Sequence, residues 1–234
     1  RPGFNDEDLK RVKKQLIESI NSNEKDANYV GRSRFSNILF GDTPFGVRGT
    51  EKTIKKIKMK HIKGFYNNYS PSVSNITVVG DITKDELLPK LDFLKKWNKK
   101  EVSIPDNFVF PDDSDTKIYL VDKPGTTQSV IYMGHKSNKY DVDGNYYKSR
   151  IMNYPLGGGA SARLFLNLRE DKGYTYGVYS FFNANQDRGF FAVYSSVKTE
   201  ATDSAIVEIL TELNNYTKQG ITVDELRSTK TSML

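Results

Sequence analysis

One stretch, residues 156–176, constrains everything built around it. Leu156 runs into three consecutive glycines, Gly157, Gly158 and Gly159, and the stretch closes on Arg169-Glu170-Asp171-Lys172-Gly173-Tyr174-Thr175-Tyr176. Consecutive glycines mark a tight turn or a close backbone approach. Ser161 is placed to cap a following helix, because its hydroxyl can accept from an orphan amide of the first turn. Leu164, Phe165 and Leu168 then recur at i, i+1 and i+4 and form one buried face. Gly173 is a good helix stop, since glycine takes the left-handed conformation without a side-chain clash. The predicted order is turn, short helix, turn, strand. Arg169 falls in the last helical turn and Tyr176 at the head of the strand, so the reversal can bring a guanidinium and a phenol to one side.

The rest of the chain reads as α+β, two related units of antiparallel sheet with helices packed on one face, the first lacking its opening strands. Residues 1–98 are assigned to the first unit, 99–116 to a linker carrying Pro105, Pro111 and the acidic run Asp112-Asp113-Ser114-Asp115, and 117–234 to the second. In the first, helices are predicted over 5–20, 25–40, 58–69 and 83–97, with a strand at 73–79. Met59, Ile62, Phe65 and Tyr66 are expected on a buried side. In the second, strands are predicted at 117–122 and 129–135, joined by the turn 123–128. A helix follows over 143–154, then a hairpin of 176–183 with 189–197. A helix over 200–217 and one capped by Thr222 complete it. Arg163 is assigned by default to a salt bridge. The 234 residues include no Cys, which excludes disulfides, thiolate metal sites and a Cys nucleophile, and is compatible with a cell-envelope or periplasmic address. The net charge of +6 comes from lysines spread over helix surfaces and interleaved with acids, without a zinc finger, basic arm or ribonucleoprotein motif. Nucleic acid is therefore not an expected partner, and no apolar run is long enough to span a membrane. No leader stands at Arg1, and the opening in mid-element reads as a piece of a longer polypeptide.

These segments together resemble the second half of pitrilysin/insulinase-type zinc peptidases, the inverzincins, a family that includes mitochondrial processing peptidase and bacterial two-subunit proteases. The resemblance rests on several motifs in order. Leu39-Phe40-Gly41 with Pro44-Phe45-Gly46 resembles the family's aromatic-glycine turn. Phe65-Tyr66 with Tyr69-Ser70-Pro71, then Val78-Val79-Gly80-Asp81 with Thr83 and Glu86, resemble the approach to a strand and the helix cap after it. Lys123-Pro124-Gly125 with Gln128 resembles the opening of the second unit. The Gly-rich turn, Arg169, and Tyr176 seven positions later complete the match. What the resemblance implies is a metal-free half, the "peptidase inactive domain", whose Arg and Tyr reach across a chamber to hold substrate against a zinc site on another half. A guanidinium grips a carbonyl or carboxylate with paired bonds, and a phenol can donate to a developing oxyanion.

A zinc site of this family needs His-x-x-Glu-His and a distal Glu. The two histidines here, His61 and His135, are far apart in sequence and lack partners at the required offsets. They read as helix-surface and strand-end residues. No metal ligand and no catalytic residue is expected within the chain, and zinc is expected in a partner. By the resemblance, Ser19 stands where the distal Glu ligand would be. Glu18 is one position away, about 100° around the helix. The glycines 157–159 lack the Lys-Ser/Thr of a P-loop and the preceding strand of a Rossmann turn. Three functions follow as expectations. The first is a substrate-binding portion that works with a His-x-x-Glu-His-bearing half or subunit on unfolded peptide. The second is a fragment of a self-sufficient zinc peptidase with its motif upstream of Arg1. The third is a structural or assembly subunit.

Overall fold

The computed structural model describes residues 2–112 and 114–233. Asp113, in the expected linker, and the terminal residues Arg1 and Leu234 lie outside the described residues. Two compact units emerge, residues 1–21 with 49–107 and residues 22–48 with 108–234. The boundary thus differs from a single linker at 99–116, because residues 22–48 pack with the second unit.

That unit is organised by a three-stranded antiparallel sheet. Strands β1 (Gln128–Ser137), β2 (Thr175–Ala184) and β3 (Gly189–Lys198) lie in the order β1-β3-β2. The apolar alternation of β3 decides the packing. Phe191, Val193 and Val197 face the main core with Ile131 of β1 and Val178 of β2. Three helical segments close this core: α6 (Asn145–Gly157) through Leu156, α7 (Arg163–Phe165) through Leu164, and α8 (Thr202–Gln219) through Ala205, Ile209 and Tyr216. Leu164, Leu168 and Ile209 are fully buried, as the helical spacing predicts. A last helix, α9 (Val223–Met233), is capped by Thr222, whose Oγ1 accepts from Glu225 N at 3.2 Å while its own N donates to the Glu225 carboxylate at 2.8 Å.

The other face of the sheet is also covered, by a helix from far upstream. In α2 (Ala27–Phe40), Asp26 caps the N-terminus, accepting from Asn28 N at 2.8 Å. Phe35 stacks on Tyr132 of β1 at 5.5 Å, and Asn28 accepts from the hydroxyl of Tyr194 of β3 at 2.6 Å. A Cβ on Gly31 would come within 3.3 Å of the Tyr132 and Val130 side chains, so the glycine sets how closely α2 lies on the sheet. Helices therefore pack on both faces of this sheet rather than on one. Residues 117–122 form no strand. The turn after them exists, with Gly125 at φ +81°, but β1 pairs along its whole length with β3, and Ile118 and Leu120 are each 93% exposed.

The first unit contains α1 (Asp6–Asn23) up to Asn21, α3 (Glu51–Lys56), α4 (Met59–Tyr66) and α5 (Lys84–Lys90). Asn5 caps α1, accepting from Glu7 N at 2.9 Å. Reciprocal capping by Thr83 and Glu86 starts α5, which gives way at Pro89 to a tighter turn over Asp92–Lys96. The expected strand at 73–79 is not one. Pro71–Val73 make a 3₁₀ turn, the residues beyond pair with no strand among those described, and Val79 is 93% exposed. A β ladder needs a partner edge to satisfy its backbone groups. The expected buried side of α4 is only half made: Phe65 is 65% exposed, and Ile62 and Tyr66 are 39% and 40% exposed. No helix among the described residues is long and apolar enough to cross a membrane.

Candidate functional site

The site grows out of two local irregularities in the central stretch. First, α7 is entered from Ala162, which offers no side-chain cap, so the expected cap at Ser161 is not made. The helix then widens. Residues Leu166–Asp171 form a π-turn in which Lys172 N donates to Asn167 O, five residues back, at 3.0 Å. Such turns add a residue to the helical circuit and re-aim the side chains on it. Arg169 lies in this turn. Gly173, at φ +64°, then reverses the chain, and Tyr174 N donates to Leu168 O at 2.9 Å to close the loop.

Second, β2 begins with a bulge. Thr175 pairs with Val197 and Val178 with Ser195, so β2 carries one more residue than β3 over this stretch. The buried Thr175 hydroxyl donates to Ser196 O at 2.6 Å and accepts from Gly177 N at 3.0 Å, which pins the bulge. A bulge twists the strand and turns a side chain out of the pleat. Here it is Tyr176, which is 86% exposed.

The two irregularities bring Arg169 to Tyr176. Arg169 Nε donates to the Tyr176 carbonyl oxygen at 3.1 Å, and Nη1 pairs with Glu170 at 2.9 Å. The guanidinium also lies over the Phe165 ring, 5.4 Å from its centroid. The contact runs through the Tyr176 backbone, so the phenol stays available. Both residues line a cavity of about 240 Å³ with Gln128, Gly173, Tyr174, Thr175 and Lys198. Gln128 and Lys198 did not stand out in the sequence. They face each other across the β1–β3 ladder, a pairing hidden by the expectation that β1 would pair with 117–122. Arg169 and Lys198 give the cavity cationic walls, with Glu170 offsetting one charge. Such a site suits a peptide carbonyl or carboxylate.

The start of the helical stretch that leads to Arg169 is tied to α9. Arg163 makes a two-pronged pair with Glu225 of α9, Nε to Oε1 at 2.5 Å and Nη2 to Oε2 at 2.7 Å, and Nη2 also donates to Gly220 O at 3.1 Å. Its guanidinium stacks over Tyr216 at 4.8 Å. The pair holds the Glu225 carboxylate down at about 2, while burial pushes the Tyr216 phenol up to about 12. On the other side, Asn153 of α6 clasps Ser180 of β2: Nδ2 donates to Ser180 O at 2.7 Å, and Ser180 Oγ donates to Oδ1 at 2.6 Å. A Cβ on Gly157 would come within 2.5 Å of Ser180 N, so that glycine serves close approach of helix to strand.

The remaining predicted residues lie elsewhere. Ser19 and Glu18 are exposed on α1, in the first unit. Glu18 borders an open groove there that also presents Lys10, Lys13 and Lys14. His61 Nδ1 accepts from Lys58 N at 3.1 Å as part of a helix cap, and the His135 ring packs 5.7 Å from Phe191. Among the described residues, no group of three His, Asp or Glu side chains could hold a metal ion.

Comparison with known proteins adds to this geometry. A family profile described as "Peptidase M16 inactive domain" matches residues 56–233. A Helicobacter pylori protein named non-peptidase homolog YmxG is 25% identical over 236 residues, covering 100% of this chain and 54% of that protein. A Bacillus subtilis protein named uncharacterized zinc protease YmxG is 26% identical over 98% of this chain and 56% of its own length. The chain thus spans about half the length of these relatives. Among solved structures, a peptidase M16 inactive domain from Pseudomonas fluorescens superposes with a TM-score of 0.91 at 24% identity, covering 100% of this chain and 57% of that one.

Proposed function

The chain belongs to the peptidase M16 inactive domain family, and from that premise we propose that it is the metal-free, substrate-positioning portion of a zinc metalloprotease assembly. The observation that carries the proposal is the meeting of Arg169 and Tyr176 on one cavity, produced by a π-turn and a bulge. The Arg169 guanidinium grips a carbonyl of an extended peptide, and the Tyr176 hydroxyl donates to the oxygen that becomes negative as the tetrahedral intermediate forms. Both groups position and stabilise; neither abstracts a proton nor attacks. Zinc and the general base belong to a His-x-x-Glu-His-bearing half or subunit, which supplies the activated water. The peptide adds along an edge of the sheet, β1 or β2, by main-chain hydrogen bonds.

The test uses the full-length polypeptide, purified with any partner that accompanies it and analysed for zinc. Zinc on the partner alone, together with peptide hydrolysis that collapses in Arg169→Ala, supports the proposal. Zinc bound to this polypeptide itself would place the motif in its own remaining half. Hydrolysis indifferent to Arg169→Ala would remove the positioning role.

A further inference from the structure

Arg188 closes the β2–β3 hairpin at the end opposite Tyr176, about 30 Å along a strand of this length. Asn185 fixes its backbone, with Oδ1 accepting from Arg188 N at 2.9 Å and Asn185 N donating to Arg188 O at 2.8 Å. The guanidinium carbon stands 4.6, 5.0 and 5.4 Å from the ring centroids of Phe40, Phe45 and Phe190. Phe110 packs edge-on against Phe40 at 5.3 Å and thickens the wall. Within this cage Nε and Nη1 are buried and have no hydrogen-bond partner. Nη2 is left as the nitrogen open to solvent. No carboxylate among the described residues pairs with Arg188. Burial pushes the guanidinium below its ordinary range, and the nearby like charge of Arg48 adds to the effect.

Ring faces attract a cation, and this explains why the guanidinium tolerates the cage. They do not supply the acceptors its N–H groups lack, and a buried donor without an acceptor costs stability. A purely structural cation would gain from an internal carboxylate, and among the described residues neither Arg188 nor the exposed Arg48 has one. The desolvation and immobilisation of Arg188 are instead already met by the fold, so an incoming anion does not have to meet them. The net charge of +6 favours an acidic partner at long range.

We propose that Nη2 of Arg188, with Arg48 as its second arm, recognises an acidic side chain of another polypeptide, at a surface distinct from the Arg169–Tyr176 cavity. The carboxylate bridges two guanidiniums that otherwise repel, and Phe45 and Val47 give the flanking residues of the bound segment apolar surface.

The experiment titrates the full-length polypeptide with a blocked hexapeptide carrying two central glutamates, with its glutamine counterpart, and with acetate. The glutamate peptide is expected to bind roughly tenfold more tightly than the glutamine peptide, with affinity falling as salt is raised. Arg48→Ala, at an exposed position, and Arg188→Lys should each weaken it severalfold. Melting temperature checks that the variants are folded, and Arg48→Ala carries the test if Arg188→Lys is not. Equal binding of both peptides, or glutamate-peptide binding unchanged in the folded variants, overturns the proposal. Acetate binding as tightly as the peptide overturns its polypeptide part. Loss of Arg169 function leaves this result untouched, so the two sites are tested separately.

Discussion

Arg169 Nε lies 3.1 Å from the carbonyl oxygen of Tyr176, seven residues on, and this bond spans the whole reversal at Gly173. It fixes the guanidinium to the bulge that turns the phenol outward. On the proposed reading, removing the side chain removes one substrate contact and loosens the other at once. If the proposed assembly is the working unit, Arg169→Ala in it should lower kcat/KM for peptide by roughly 100-fold, the scale set by loss of one oriented donor. Arg169→Lys should recover little, because an ammonium cannot reproduce the planar fork. Circular dichroism and melting should stay close to native, since the side chain lies at the surface. Native turnover in a folded Arg169→Ala protein would dismiss the role.

Tyr176→Phe separates the hydroxyl from the ring. The side chain is 86% exposed and its hydroxyl makes no hydrogen bond among the described residues. Stability should change by less than about 0.5 kcal/mol, as at other exposed positions. Turnover should fall through kcat rather than KM if the hydroxyl donates only to the developing oxyanion. A rise in KM with constant kcat would make it a ground-state contact instead.

Two of the three consecutive glycines make separable predictions. A methyl at Gly157 meets the Ser180 backbone, which cannot move without disturbing the clasp with Asn153. Gly157→Ala should cost about 2 kcal/mol, as overpacking does. Gly159→Ala has open space around it, with nothing nearer than 3.9 Å, and should be close to neutral. Urea unfolding of the two variants side by side gives the comparison. Similar midpoints would deny that close approach is the reason for Gly157.

The second unit was largely legible in the sequence because its signals are local or periodic. The hairpin, the buried face of Leu164 and Leu168, the stop at Gly173 and the cap at Thr222 all follow from neighbouring residues, as does the cap at Thr83 in the first unit. Arg169 and Tyr176 could be named only through the resemblance to the family's Arg and Tyr seven positions apart; the local signals placed them on one side of the reversal at Gly173. What escaped depends on partners distant in sequence. Val73–Val79 and Ile118–Leu120 are rich in the β-branched and aromatic residues that strands favour, but such composition expresses a capacity to pair, and no partner edge meets them among the described residues. The membership of α2 in the second unit is a tertiary choice, made by Phe35 on Tyr132 and Asn28 on Tyr194 across more than 90 residues of chain. Gln128 and Lys198 became site residues only through the β1–β3 register. The π-turn left no mark on the apolar pattern.

The last prediction concerns the Arg163–Glu225 brace between α7 and α9. Glu225 is held at about 2 in the folded chain by Arg163, against about 4.3 for a free glutamate. A carboxylate with a depressed folded value contributes stability that is complete above the unfolded value and is lost as pH falls through the folded one. The brace should therefore weaken between about pH 4.3 and 2. Tyr216 bounds the other side. Its phenol, buried and donating to Met152 O, is raised to about 12 from an ordinary value near 10. A raised value favours the protonated form, so its contribution is complete below pH 10 and is lost as pH climbs toward 12. Both side chains of the ion pair are largely covered, 18% and 24% exposed, and removing one leaves the other without its partner. Glu225→Gln should cost about 2 kcal/mol at neutral pH, the range for a charge-assisted bond. It should also flatten the acid limb of a stability–pH profile while leaving the alkaline limb in place. Retention of the full acid limb in Glu225→Gln would show that other carboxylates set it. Loss of both limbs together would mean that Tyr216 owes its environment to the ion pair rather than to burial in the core.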